Sequence, residues 1–95
     1  MSAYLIARVR IKDLEIYRDY ALLSKPSIEA FDGRFLARGG DVEILEGESD
    51  FDRMVVVEFK DMDTARSWYN SDLYKKARDV RNPISQAVFT LVDGI

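Results

Sequence analysis

Alternation along the strands brings four chemically able side chains to one face of this 95-residue chain: Arg8, Arg10, Arg38 and Glu58. Guanidinium and carboxylate groups on a covered face must be paired or hydrogen-bonded. Glu58 should pair with Arg8 or Arg10, whose strand is expected to lie beside its own. Arg38 is then left over, across the sheet. A guanidinium without a carboxylate partner suits a small anion such as a carboxylate, because its planar fork donates two parallel hydrogen bonds. Trp68, Tyr69 and Tyr74 recur at helical spacing and fit either a core or the wall of a small-molecule cleft. Arg81 is the basic residue best placed to join them.

The sequence contains no histidine and no cysteine. That removes the commonest acid–base group near neutral pH, the usual zinc and haem ligands, and thiolate chemistry. No metal and no cofactor is expected. Asp61 and Asp63 read as helix caps, and Glu46, Glu48, Asp50 and Asp52 as a solvated acidic turn. Gly39-Gly40 lacks the lysine and the strand-to-helix context of a phosphate loop. Two function classes remain. One is a dimeric protein that binds a small metabolite. The other is a cofactor-independent enzyme acting on a small acidic or enolisable metabolite. There Glu58 or a tyrosine moves a proton and Arg38 holds developing negative charge.

Lys and Arg number 14 against 17 Asp and Glu, with no basic run. Nucleic acid is therefore not an expected partner. No secretory signal and no apolar run of about 18 residues is visible, so a cytoplasmic location away from membranes is expected. The length indicates a single domain, residues 1–95, whose modest core would gain from oligomerisation.

These side chains must be positioned by two strand–helix–strand units. Ala3 to Ile11 alternates as a strand, with Leu5, Ala7, Val9 and Ile11 on one face. Asp13 caps a helix carrying Leu14, Tyr17, Tyr20, Ile28 and Phe31, with a kink or restart expected at Pro26. Gly33 is expected to take the left-handed turn that ends it. A strand from Arg34 to Glu46 follows, interrupted by a bulge at Gly39-Gly40. Arg53 to Phe59 is the next strand. Asp61 or Asp63 and then Ser71 cap two short helices. Asn82-Pro83 ends the second, because a residue before proline avoids the helical region. Ala87 to Val92 is the last strand. Val9 to Glu15 and Val57 to Asp63 echo one another, each running from strand to cap to helix.

The fold class is therefore α+β, a ferredoxin-like βαββαβ arrangement with both helical segments on one face. The sheet is expected to be antiparallel, except that the first and third strands run parallel in its centre. The helix-facing set is apolar: Leu5, Ala7, Val9, Ile11, Phe35, Ala37, Val55, Val57, Phe59, Ala87, Phe89 and Leu91. The other face mixes Ile6, Leu36, Met54, Val56, Val88 and Val92 with the arginines. So large an apolar patch needs a cover, and a second copy of the chain is the simplest one.

Certain runs carry a resemblance. They are Tyr4-Leu5-Ile6-Ala7, Phe31-Asp32-Gly33-Arg34-Phe35-Leu36-Ala37-Arg38-Gly39-Gly40, Val56-Val57-Glu58-Phe59 and Trp68-Tyr69-Asn70-Ser71-Asp72-Leu73-Tyr74, with Arg81. Over nearly its whole length the chain resembles the bacterial family catalogued as domain of unknown function 1330, within the dimeric α+β-barrel superfamily. The resemblance implies a homodimer whose two sheets pack face to face. It transfers no catalytic residue, because the family has no established activity. The wider superfamily includes cofactor-free monooxygenases, lactone isomerases and haem enzymes. Histidine-dependent mechanisms among them do not apply here.

Overall fold

Alternating apolar residues build the sheet, and aspartate or serine caps start the helices. In the computed structural model, which describes residues 1–95, the order is β1 (Ala3–Ile11), α1 (Leu14–Ala30), β2 (Arg34–Arg38), β3 (Arg53–Phe59), α2 (Met62–Tyr69), α3 (Asp72–Arg81) and β4 (Ser85–Asp93). This is the ferredoxin-like βαββαβ fold. No helix is long and apolar enough to cross a membrane.

The sheet order is β2-β3-β1-β4 and every neighbouring pair is antiparallel. The expected parallel pairing of first and third strands is therefore wrong. The reason is topological. α1 returns the chain so that β2 runs in the direction of β1, and the reversal after β2 sets β3 against both. The helices cover one face only, leaving a slab 31 × 30 × 17 Å.

Each helix starts on a side-chain cap. Asp13 Oδ1 accepts the Ile16 N–H at 3.2 Å, Asp61 Oδ1 accepts the Thr64 N–H at 2.7 Å, and Ser71 Oγ accepts the Tyr74 N–H at 3.2 Å. These bonds satisfy donors that the first helical turn leaves free. The Thr64 bonds also hold the Asp61 carboxyl below its usual range.

α1 continues through Pro26 without the expected restart. Proline removes only the bond to the Leu22 carbonyl, and Leu22 is 75% exposed, so water can take that bond. Two serines flank the proline and turn inward, Ser24 Oγ donating to the Ala21 carbonyl and Ser27 Oγ to the Ser24 carbonyl.

The end of α1 also differs from expectation. Asp32, not Gly33, holds the left-handed turn, with φ 56°. Gly33 is required for space, since a Cβ there would lie 2.6 Å from Ile28 Cγ2 and 2.8 Å from Phe59 Cε1. At the end of α3, Asn82 stays helical at φ −52°, ψ −46°. Pro83 sits inside a 3₁₀ turn, Asn82–Ile84, so the pre-proline rule is overridden where a proline opens a new helical turn.

The core lies between helices and sheet, with Leu5, Val9, Tyr17, Tyr20, Val57, Phe59, Trp68 and Tyr74 buried in it. Trp68 and Tyr74 stack with ring centroids 4.2 Å apart.

β2 carries the feature that shapes the site. Phe35 pairs with Val57, but Ala37 pairs with Val56 and Arg38 with Val55. Leu36 is thus an extra residue, a bulge three positions before the expected one. Every side chain after it changes face. β2 also stops at Arg38 rather than continuing to Glu46, and residues 39–52 form no helix or strand.

Candidate functional site

The bulge turns Arg38 toward the helices. Its expected place on the open face is overturned, because Arg38 now shares the phase of Val55 and Val57. It lines a cleft between α1 and the sheet with Tyr17, Tyr20, Phe35, Arg53 and Trp68. The enclosed space is small, about 20 Å³, enough for a water-sized group by the ~10–15 Å³ criterion.

Arg53 and Arg81 lie against the Tyr17 and Tyr20 rings, and Arg38 against Phe35. Arg53 lies 5.1 Å from the Tyr17 centroid, and Arg38 lies 4.6 Å above the Phe35 ring. Arg81 is 6% exposed, 5.6 Å from the Tyr20 centroid and 4.7 Å from that of Phe89. The ion pairs of the fold are Arg10–Asp50, Arg34–Glu58 and Arg66–Asp63, so none of these three arginines has a carboxylate partner. The buried Nε atoms of Arg53 and Arg81 have no hydrogen-bond acceptor. Arg81 is held by Ser85 Oγ, which accepts from its Nη1 at 3.3 Å.

The phenols report this field. Burial raises the pKa of Tyr17, while Arg53, and further away Arg81 and Arg38, pull it back. Burial pushes Tyr20 well above the usual range, and Tyr74 is also raised by burial. The Tyr20 and Tyr74 hydroxyls are hydrogen-bonded at 3.0 Å. These phenols lie beside cations that have no carboxylate partner.

Gly39 completes the wall. It has φ 72°, and a methyl there would overlap the Arg53 guanidinium. Glycine at this position lets the backbone leave β2 directly over Arg53.

The family model described as domain of unknown function (DUF1330) matches residues 2–95. The chain belongs to the DUF1330 family. No curated protein matches it in sequence. Among solved structures, this DUF1330 chain is similar to a protein of unknown function from Rhodopseudomonas palustris, at TM-score 0.80 and 17% identity over 99% of this chain and 82% of that one. A dimeric ferredoxin-like protein of unknown function from Jannaschia sp. CCS1 gives TM-score 0.75 at 7% identity, covering 99% and 100%. SnoaB, a cofactor-independent oxygenase from Streptomyces nogalater, gives 0.67 at 13%, covering 99% and 93%. At these identities the likeness is one of fold.

Within the DUF1330 fold the other candidate residues separate. Glu58 is not paired with Arg8 or Arg10. It lies opposite Tyr4 on β1 and Arg34 on β2. Arg34 donates to it at 2.7 Å, and the Tyr4 hydroxyl at 3.4 Å. Arg8 lies opposite Met54 and Val88, and Arg10 binds Gln86 and Asp50. Both stay on the open face, away from Arg38. Trp68 and Tyr74 are core residues, 1% and 0% exposed. Tyr69 is half-buried beneath the Arg78 guanidinium. With Trp68, Phe89 and Leu91 it lines a second groove of about 260 Å³ beside α2. Arg53 and Tyr17 line the cleft without being singled out by the sequence pattern. The phase of Arg53, two residues before Val55 on the helix-facing side of β3, is the signal that would have found it.

Proposed function

We propose that this DUF1330 protein is a homodimer, packed sheet to sheet, that binds a small organic anion in the cleft between α1 and the sheet. The observation that carries the reading is the convergence of Arg38 and Arg53, backed by Arg81, on a cleft with no carboxylate in its lining. Arg53 is half-buried and Arg81 buried, while Arg38 is exposed at the mouth, and cations held there without an internal partner favour an external one. Arg38 and Arg53 clasp the carboxylate, and Tyr17 borders it with its hydroxyl. The small enclosed volume limits what enters to the charged end of the ligand.

Dimerisation is supported by the open face. Ile6, Val56, Val88, Thr90 and Val92 lie there on the side away from the helices, and Val88 and Val92 are 42% and 46% exposed. The fold relative from Jannaschia is described as dimeric.

Binding is favoured over catalysis by the same lining. Glu58 is on the far face, engaged by Arg34, no other carboxylate reaches the cleft, and burial raises the pKa values of its Tyr17 and Tyr20 phenols, which disfavours either as a base.

The test is a thermal-shift series with acetate, benzoate and pyruvate at fixed ionic strength, on the parent, Arg38→Met and Arg53→Met. The parent should gain stability with at least one acid. Each variant should weaken that response by about 1.5–3 kcal/mol, the scale of a charge-assisted hydrogen bond. Equal responses from parent and both variants would remove the cleft as the site. Light scattering at micromolar concentration tests the dimer, and a monomer there rejects it.

A further inference from the structure

Residues 39–52 are longer than the roughly 12 residues at which connections without structure become uncommon. They carry a strand-like alternation, Asp41-Val42-Glu43-Ile44, followed by Leu45. Yet no backbone-to-backbone hydrogen bond involves any residue from Gly40 to Phe51. Val42 and Ile44 are each 46% exposed and Leu45 is 88% exposed. A segment with strand chemistry, no strand partner and three exposed aliphatics is half of an interface.

We infer that residues Asp41 to Asp50 are a dimerisation arm whose occupant is a second copy of this chain. The inference rests on the homodimer proposed above and adds the surface that completes it. Three observations select that partner.

The first is area. The strands have 5, 7, 9 and 9 residues. At about 3.3 Å per residue and 4.8 Å between strands, one open face covers about 480 Å² in flat projection. Two such faces give a footprint of about 950 Å² in projection, on the scale of a small stable interface. The arm adds exposed apolar area to that footprint, with Leu45 88% exposed.

The second is charge. The arm carries Asp41, Glu43, Glu46, Glu48 and Asp50 with no basic residue. The open face presents Arg8 and Arg10. Arg10 already binds Asp50 at 2.9 Å, while Arg8 is exposed and takes part in none of the ion pairs. An acidic arm and a face with a spare arginine complement one another in a symmetric pair.

The third is continuity. Val42, Ile44, Glu46 and Glu48 border a cavity of about 220 Å³ together with Arg8 and Met54 of the open face. A copy laid on the sheet therefore meets the arm at its edge.

The experiment is amide hydrogen exchange on the full chain, read alongside sedimentation, for the parent and a Val42→Ser/Ile44→Ser variant. The expected result is a dimer in which amides 42–46 exchange at least tenfold more slowly than in the diluted monomer. The variant should dimerise at least tenfold more weakly while melting as the parent monomer does. A dimer whose arm amides exchange as open chain overturns the arm and leaves the homodimer standing. So does a variant that dimerises like the parent. A parent that stays monomeric overturns both.

Discussion

The indole of Trp68 donates its Nε1–H to Ser27 Oγ at 3.1 Å, in the buried seam between α2 and α1. Ser27 donates its own O–H to the Ser24 carbonyl at 2.6 Å. A serine beside a helix proline thus serves as the polar anchor for the largest core side chain. Ser27→Ala should cost about 1–3 kcal/mol, because it leaves the indole N–H buried and unpaired. Trp68→Phe removes that donor, so Ser27→Ala made in its background should cost clearly less. Urea denaturation of the four proteins measures the coupling, and additive costs would show that the bond contributes nothing.

Gly39 and Gly40 should respond differently to a side chain. Gly39 has a left-handed backbone and lies on Arg53, while a Cβ at Gly40 has nothing within 4 Å. Gly39→Val should cost about 1–3 kcal/mol, and Gly40→Ala should be nearly neutral. Gly39→Val should also disturb Arg53 and blunt the response to carboxylates. Melting curves of the two variants with and without acetate check this.

At the end of α1 the roles of two neighbours are separable. Gly33→Ala should destabilise by about 1–3 kcal/mol through overpacking against Ile28 and Phe59. Asp32→Gly should be tolerated, since glycine adopts φ 56° without the strain of a Cβ. Chemical denaturation midpoints in the reverse order would refute the assignment.

Alkali should unfold the protein earlier than its acidic composition suggests. Burial raises the pKa values of Tyr17, Tyr20 and Tyr74 in the folded chain, whereas unfolded tyrosines ionise near pH 10. Above that pH the folded state holds more protons than the unfolded one, so stability falls as pH rises. Their contribution is intact below about pH 10. Urea midpoints from pH 8 to 11 should show the decline, with a shallower slope in Tyr20→Phe.

Much of this was legible in the sequence, because local rules govern it. The phase of β1 and β3, the caps at Asp13, Asp61 and Ser71, and the burial of Trp68 all follow from alternation and capping chemistry. The errors have a common source in tertiary pairing. Alternation places Arg38 on the open face, and only the register against β3 reveals the extra residue at Leu36. Strand phase alone points Glu58 at Arg8 or Arg10, whereas its partners depend on which residues sit opposite. Pro26 and Pro83 are break signals in the sequence, but their surroundings accommodate them. The arm alternates like a strand, yet it makes no backbone hydrogen bond to any strand of the chain.

The bulge at Leu36 makes the cleft depend on counting as well as on composition. Removing that single residue would keep both arginines and nearly all the aliphatic content, yet it would rotate Arg38 out of the cleft and return it to the open face. Insertions and deletions in β2 should therefore act as an on–off switch for the positive cluster, while substitutions at Leu36 itself are tolerated. Relatives of equal composition but different β2 length should be grouped by length before their arginines are compared.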